Sequence, residues 1–169
     1  SGWLRARKMP LAVTRLAPQG KSSICIELSP KTNRPIQYFP GQFVFISIHS
    51  NHISREPHPF TLSSTPTRPH CLQVTVRVSG DWTRHIGRIA VGDRVYIQGP
   101  FGRFSHRLTD PDREIVMIAG GIGITPFLKR IEDSSGGITL IYANRDKRSA
   151  VFSSQLKAQL EDNFIEVYE

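Results

Sequence analysis

Three short segments carry residue types whose order could do chemistry. His58-Pro59-Phe60-Thr61 sets an imidazole, an aromatic ring and a hydroxyl close together, and Leu62-Ser63-Ser64 follows. Gly80-Asp81-Trp82-Thr83 starts on a residue that lets the backbone turn tightly. Gly120-Gly121-Ile122-Gly123-Ile124-Thr125-Pro126 is a glycine loop closed by Thr-Pro. Glycines let a backbone approach a pyrophosphate closely, and free N–H groups at a helix start hold anions. Each segment also has a plain reading. The first is a strand ending in a Ser/Thr turn. The second is a helix with Asp81 as its cap. The glycine spacing is not the Gly-x-Gly-x-x-Gly dinucleotide fingerprint, although a buried strand before it and a helix after it are the context a phosphate loop needs.

The elements that must position these segments fall into two kinds. Residues 10–109 read as β. Leu72, Val74, Val76 and Val78 alternate strictly, as do Ile24, Ile26 and Leu28. Residues 42–48 and 94–98 are further strands. Pro30, Pro35, Pro40-Gly41, Pro66 and Pro69 punctuate the region. Short strands between turn signals predict an antiparallel barrel, with residues 82–89 its only short helix. After Pro111 the pattern changes. Strands at 114–119, 138–142 and 164–168 alternate with helices at 126–133 and 151–160, which predicts a parallel α/β sheet. The expected linker is 105–113. Three strands are few for such a sheet, so the second unit reads as truncated.

In this order the segments resemble the ferredoxin–NADP reductase superfamily. His-Pro-Phe-Thr followed by Gly-Asp-Trp-Thr looks like one branch, the dehydrogenase domains of NADPH oxidases and ferric reductases. The superfamily's common first motif is Arg-x-Tyr-Ser; here His58 takes the Arg place, Phe60 the Tyr place and Thr61 the Ser place. His58 carries less charge than Arg at neutral pH. The resemblance implies a Greek-key FAD-binding β-barrel over 1–109 and the first part of an NAD(P)H-binding α/β domain over 110–169. It implies FAD held by His58, Pro59, Phe60, Thr61, Val76, Arg77, Gly80, Trp82 and Thr83. Phe60 would support the flavin ring, Thr61 would hydrogen-bond to it, and Thr83 and Arg77 would serve its pyrophosphate. It implies a nicotinamide dinucleotide on Gly120, Gly121, Gly123, Thr125 and Pro126. Arg145, at the end of the second α/β strand, leans toward the 2′-phosphate of NADPH, though Asp146 beside it and a plain solvated charged loop keep NADH open. Gly99-Pro100-Phe101-Gly102 matches a barrel-closing loop and is read as structural.

Charge adds a partner. The net charge is +8. Residues 1–109 hold 15 Lys/Arg against 4 Asp/Glu, whereas 110–169 hold 7 against 10. The basic residues are scattered singly, without the aromatic interleaving of an RNA-binding sheet, so nucleic acid is not expected. Anionic lipid head groups or a dinucleotide's phosphates fit better. Arg5, Arg7 and Lys8 form a basic stub. If a membrane span precedes them, the positive-inside tendency places the stub, and this chain, on the cytoplasmic face. The two cysteines, Cys25 and Cys71, have no metal-ligand spacing. The six histidines form no metal pair. Haem in this branch belongs to membrane helices of the parent protein.

The family's nicotinamide domain continues to a Cys-Gly-Pro segment and a terminal aromatic residue that are absent from this sequence. The expectation is therefore that the chain binds FAD weakly and oxidises NADPH poorly or not at all. Two other readings stay open: a soluble flavin reductase component of an oxygenase system, and a non-catalytic reductase-like binding module.

Overall fold

The computed structural model describes residues 8–32, 35–64, 70–104 and 113–169. The expected linker lies almost wholly outside these residues, as do Arg5, Arg7, Pro66 and Pro69.

Six strands form the first unit: β1 (Met9–Gln19), β2 (Ser23–Pro30), β3 (Phe43–His49), β4 (His58–Thr61), β5 (Leu72–Arg77) and β6 (Arg94–Phe101). Their order is β4-β3-β6-β1-β2-β5, and every pairing is antiparallel. The two outer strands meet where Leu62 bridges Val74 and the Ser63 N–H donates to the Gln73 carbonyl at 2.8 Å. The sheet thus closes into a Greek-key barrel and leaves no long free edge. Its core is the set of inward positions: Leu11 and Val13, Ile26 and Leu28, Val44 and Ile46, Val74 and Val76, Val95 and Ile97, with Ile86 packed against them. This alternation is what a pleated strand with one buried face requires.

The sequence reading did not resolve β1, the strand that pairs with both β2 and β6. Pro10 and Pro18 hide it. Pro10 has no N–H to give, but its carbonyl accepts from Lys31 N–H at 3.3 Å, so the position still joins the hydrogen-bonded network. The helix expected at 82–89 is a 3₁₀ stretch, Thr83–Arg88, closed by bonds such as His85 N–H to Trp82 O at 3.1 Å. Gly87 lies within it, and no side chain caps its start.

The second unit is a parallel sheet in the order β7-β8-β9, from β7 (Ile115–Gly120), β8 (Ile138–Asn144) and β9 (Phe164–Tyr168). Two helices, α1 (Leu128–Glu132) and α2 (Ser153–Leu160), connect the strands. Met117, Ala119, Leu140 and Tyr142 face them, with Ile131, Leu156 and Leu160 opposite. On the other side of the sheet, Val116 and Ile118 are 66% and 70% exposed, and Ile165 and Val167 nearly half exposed. Parallel sheets ordinarily have both faces covered; here, among the described residues, one is.

Among the described residues, several contacts join the barrel and the sheet. A Cβ on Gly41 would stand 2.9 Å from the Phe104 ring and 3.2 Å from the Pro126 carbonyl oxygen. Phe104 packs edge-on to Phe127 with centroids 5.2 Å apart. Lys21 N–H donates to the Arg148 carbonyl at 3.3 Å. A further contact, between Arg77 and Gly121, lies in the candidate site.

Candidate flavin and nucleotide site

β4 brings His58, Phe60 and Thr61 to one rim of the barrel, and the turn after β5 brings Trp82 against them. The His58 and Trp82 rings are 4.2 Å apart by centroid, and Phe60 and Trp82 are 5.8 Å apart. Trp82 Nε1–H donates to the Ser54 carbonyl at 2.9 Å, which fixes the indole. So the first two sequence segments, separated by the rest of the barrel wall, form one aromatic surface. Phe60 and Thr61 are half-buried and Pro59 is exposed. His58 Nε2 is buried without a hydrogen-bond partner, and the nearest carboxylate oxygen, on Glu56, is 3.7 Å away. An unsatisfied imidazole nitrogen at a rim is a feature a ligand phosphate or hydroxyl would satisfy. A cleft of about 470 Å³ opens beside the indole, lined by residues 51–54, Glu56, Asp81 and His85.

Asp81 does not cap the turn as the plain reading expected; it pairs with Arg84 at 3.4 Å on the surface. Thr83 closes the turn instead. Its Oγ1 accepts from Gly80 N–H at 2.8 Å and Ser79 N–H at 3.0 Å, and lies 3.1 Å from the Gly80 carbonyl. Thr83 therefore shapes the loop through its own hydroxyl. Val76 is 1% exposed inside the barrel core, so its side chain is a packing residue and leaves only main chain to offer a ligand.

The glycine loop follows β7 directly. Gly121 has φ +52°, a value that favours glycine. Residues 121–124 form a 3₁₀ turn, and α1 starts only at Leu128, two residues later than expected. Pro126 therefore lies before the helix. Thr125 is buried and its hydroxyl donates to the Ile122 carbonyl at 3.1 Å, so it braces the loop. Beneath the loop, the Tyr142 hydroxyl lies 3.0 Å from the Gly121 carbonyl and 3.2 Å from that of Val151. Burial pushes this hydroxyl up to about 12, and the nearby Asn144 amide and Arg77 charge oppose the shift only in part.

Arg77, Gly120, Gly121, Asn144, Arg145, Ser149, Tyr168 and Glu169 line a cavity of about 240 Å³ at the seam between barrel and sheet. Arg145 is exposed at its rim. Asp146 is turned away into its own loop, accepting from Ser149 N–H at 2.8 Å and Ser149 Oγ at 3.0 Å; these bonds hold its carboxyl below the usual range. The sequence motifs assign no role to four of these wall residues, Asn144, Ser149, Tyr168 and Glu169. Asn144 is 7% exposed, and neither amide atom has a hydrogen-bond partner of good geometry. Glu169 reaches the same wall because β9 runs parallel to β8, and its N–H donates to the Asn144 carbonyl at 3.2 Å. Only the sheet register could have revealed that neighbourhood.

Residues 9–105 match the family described as FAD-binding domain. The ferredoxin reductase component of 3-ketosteroid-9-alpha-monooxygenase from Mycolicibacterium smegmatis is 31% identical over 72% of this chain and 36% of its own length. Dual oxidase 2 of Rattus norvegicus is 30% identical over 95% of this chain and 12% of its own. This chain thus spans about a third or less of these two relatives. Among solved structures, phthalate dioxygenase reductase superposes with a TM-score of 0.79 at 18% identity, over 96% of this chain and 52% of that one, a likeness of fold. With an FAD-binding domain over most of the barrel, the chain belongs to the ferredoxin–NADP reductase superfamily, and its relatives include dual oxidases and ferric reduction oxidases as well as ferredoxin reductase components.

Proposed function

We propose that this chain is the dehydrogenase part of a membrane-bound oxidoreductase. In this reading it holds FAD on the barrel, receives reducing equivalents from NADPH at the seam, and passes electrons to haem in a transmembrane domain of the same parent protein. The parent would reduce oxygen or a ferric chelate on the far side. No helix among the described residues is long and apolar enough to cross a membrane. The basic barrel faces an anionic, cytoplasmic membrane surface in this proposal, and the spread of charge in the sequence supports it.

The observation that carries the reading is the Trp82 contact to both His58 and Phe60. It joins the two segments that would hold ring and pyrophosphate into one surface. The residues fit FAD: a half-buried ring, an unsatisfied imidazole nitrogen and a tight glycine turn occupy one rim. FAD, when bound, supplies a hydride acceptor that can release electrons one at a time. The chain's own residues orient and bind. Phe60 and Trp82 give a flat apolar wall, Thr61 offers a hydroxyl beside it, and His58 offers a donor toward phosphate. Gly121 and Arg145 place the nucleotide on the other side of the seam. Alignment of this kind, rather than an acid–base pair, is what hydride transfer needs.

A second reading, the reductase component of an oxygenase system, is favoured by the similarity to the ketosteroid monooxygenase reductase. His58-Pro59-Phe60-Thr61 in place of Arg-x-Tyr-Ser weighs against it.

The test is a titration of the purified chain with FAD, followed by flavin fluorescence, for wild type, Phe60→Ala and Thr83→Ala. Saturable quenching that weakens in both variants supports the flavin site. No binding at high FAD would leave a scaffold that has the fold without the cofactor.

A further inference from the structure

β3 and β6 run side by side in the barrel wall. Val44, Ile46 and Ile48 of β3 and Val95 and Ile97 of β6 belong to the core. The alternation therefore turns Phe43, Phe45, His49, Arg94 and Tyr96 outward. Arg94 pairs with His49 on one side and with Ala12 of β1 on the other. The His49 and Tyr96 rings are 4.7 Å apart by centroid. Lys8 immediately precedes β1, and Arg55 comes from the loop between β3 and β4. Burial first, and then the charges of Arg55, Lys8 and Arg94, hold the His49 imidazole below its ordinary pKa, so all three cations lie within electrostatic range of it. Lys8, Arg55 and Arg94 are exposed, and among the described residues none of them is in an ion pair. The carboxylates next to them in sequence are engaged elsewhere. Asp93 accepts from Ala90 N–H at 2.9 Å, and Glu56 lies 3.7 Å from His58 Nε2.

We propose that this outer wall of β3 and β6, with Lys8, Arg55 and Arg94 around Tyr96, docks the barrel on the anionic head groups of a membrane surface. This deepens, and rests on, the reading of the chain as part of a membrane-bound oxidoreductase, and it assigns one face of the barrel to the lipid. Anionic head groups supply the charge that the three cations lack. Tyr96 joins an apolar body to a polar tip, which suits the boundary between water and lipid. Farther along the same wall, Phe43, Phe45 and Phe101 form a half-buried apolar cluster. Phe45 meets Phe43 and Phe101 edge-on, at 72° and 69°, an arrangement that suits an acyl boundary better than the stacking of bases. The flavin rim lies beside this wall. Ser54, next to Arg55, accepts the Trp82 Nε1–H at 2.9 Å. A surface held at Arg55 is therefore close to His58 and Trp82, where the proposed electron transfer to haem begins.

The experiment measures co-sedimentation of the purified chain with vesicles of phosphatidylcholine and phosphatidylserine, and with vesicles of phosphatidylcholine alone. Three double variants are compared. One is Arg55→Ala with Arg94→Ala. The second is Arg55→Lys with Arg94→Lys, which keeps the charge and keeps the test valid if the alanine pair does not fold. The third is Arg15→Ala with Lys157→Ala, which removes the same charge away from the wall. Each is checked by thermal unfolding and by FAD titration. The wild type should bind the anionic vesicles and not the neutral ones, and added salt should weaken that binding. The alanine pair at 55 and 94 should weaken it at least about tenfold, the size expected for two cations at a lipid surface. The lysine pair should bind like the wild type, the pair at 15 and 157 should lose clearly less, and FAD affinity should hold in all three. The proposal is overturned if the wild type binds both vesicle types alike, or if the two alanine pairs lose equally, which would make net charge the cause. A loss in the lysine pair as large as in its alanine counterpart overturns it as well. Tighter wild-type binding to a DNA duplex than to the anionic vesicles, lost in the alanine pair at 55 and 94, would overturn it in favour of a nucleic acid. If the wild type binds no FAD, the dehydrogenase reading fails by itself, and the vesicle comparison still decides the docking surface.

Discussion

The imidazole of His58 lies 4.2 Å from the indole of Trp82, with the ring planes inclined by 33°. These residues are 24 positions apart in sequence, and no local rule connects them. Strand β4 delivers one and the turn after β5 delivers the other. Because Trp82 also meets Phe60 and donates to Ser54, it organises the whole rim.

Trp82→Ala should therefore lower FAD affinity more than the loss of one contact would. Aromatic pairs contribute about 1 kcal/mol each, and the indole hydrogen bond about another 1 kcal/mol. A tenfold or larger rise in the FAD dissociation constant is expected. Trp82→Phe keeps a ring and loses the hydrogen bond, so its effect should be smaller. Flavin fluorescence titration of both variants reads this directly. Equal affinities for wild type and Trp82→Ala would remove Trp82 from the site.

Gly121 and Gly123 should respond very differently to alanine. Gly121 needs a positive φ, whereas Gly123 does not and nothing lies within 4 Å of a Cβ on it. Gly121→Ala should cost about 1–3 kcal/mol of stability, the usual size of left-handed strain. Gly123→Ala should leave the melting temperature close to wild type, because space for the methyl group is open. Thermal unfolding of the pair decides it. A similar drop in both would mean that the loop relaxes around either substitution.

The sequence showed the barrel, the parallel sheet and the order of the segments because each rests on local chemistry. The alternation of Leu72, Val74 and Val76 marks a strand, and a glycine run after an apolar strand marks a loop. What it could not show was reach. Arg77 sits in a flavin-side strand, yet its long side chain crosses to Gly121, and nothing in the spacing encodes that direction. Thr83 and Thr125 read as hydroxyls available to a ligand, but both bond their own turns. Strand β1 was hidden by Pro10 and Pro18, which both keep their place in its register with β2 or β6. Val76 reads as a ligand position by resemblance, and its side chain is in the core.

Tyr142 offers a test of how the glycine loop is held. Its hydroxyl pKa is raised from 10.0 to about 12, first by burial. A group with a raised folded pKa contributes stability below its unfolded value, and that contribution is lost as pH rises through the folded one. The stabilisation is therefore full below pH 10.0 and fades toward about pH 12. Tyr142→Phe should lose about 1 kcal/mol at neutral pH, the usual net worth of a buried hydrogen bond. It should also show a shallower decline in melting temperature between those pH values. Identical alkaline slopes in wild type and variant would mean that Tyr142 does not titrate with unfolding.

Arg145 and Asp146 are neighbours with opposite charges, and the structure separates their tasks. Asp146 is committed to Ser149, and those hydrogen bonds, above all the one to the Ser149 side chain, lower its pKa. A depressed carboxylate contributes to the turn above its unfolded value, and the contribution is lost as pH falls through the lower, folded value. Protection of the Ser149 amide from exchange should thus hold at neutral pH and vanish only on acidification below the ordinary Asp range. Arg145 is left at the cavity rim. Arg145→Ala should then reduce the preference for NADP⁺ over NAD⁺ by about tenfold, the loss expected for one charge-assisted phosphate contact. Asp146→Asn should loosen the turn and leave that preference nearly intact. Competition binding of the two dinucleotides reads the ratio. An unchanged ratio in Arg145→Ala would move 2′-phosphate recognition away from the end of β8, whereas a ratio that collapses in Asp146→Asn would show that the turn, rather than the guanidinium alone, sets the preference.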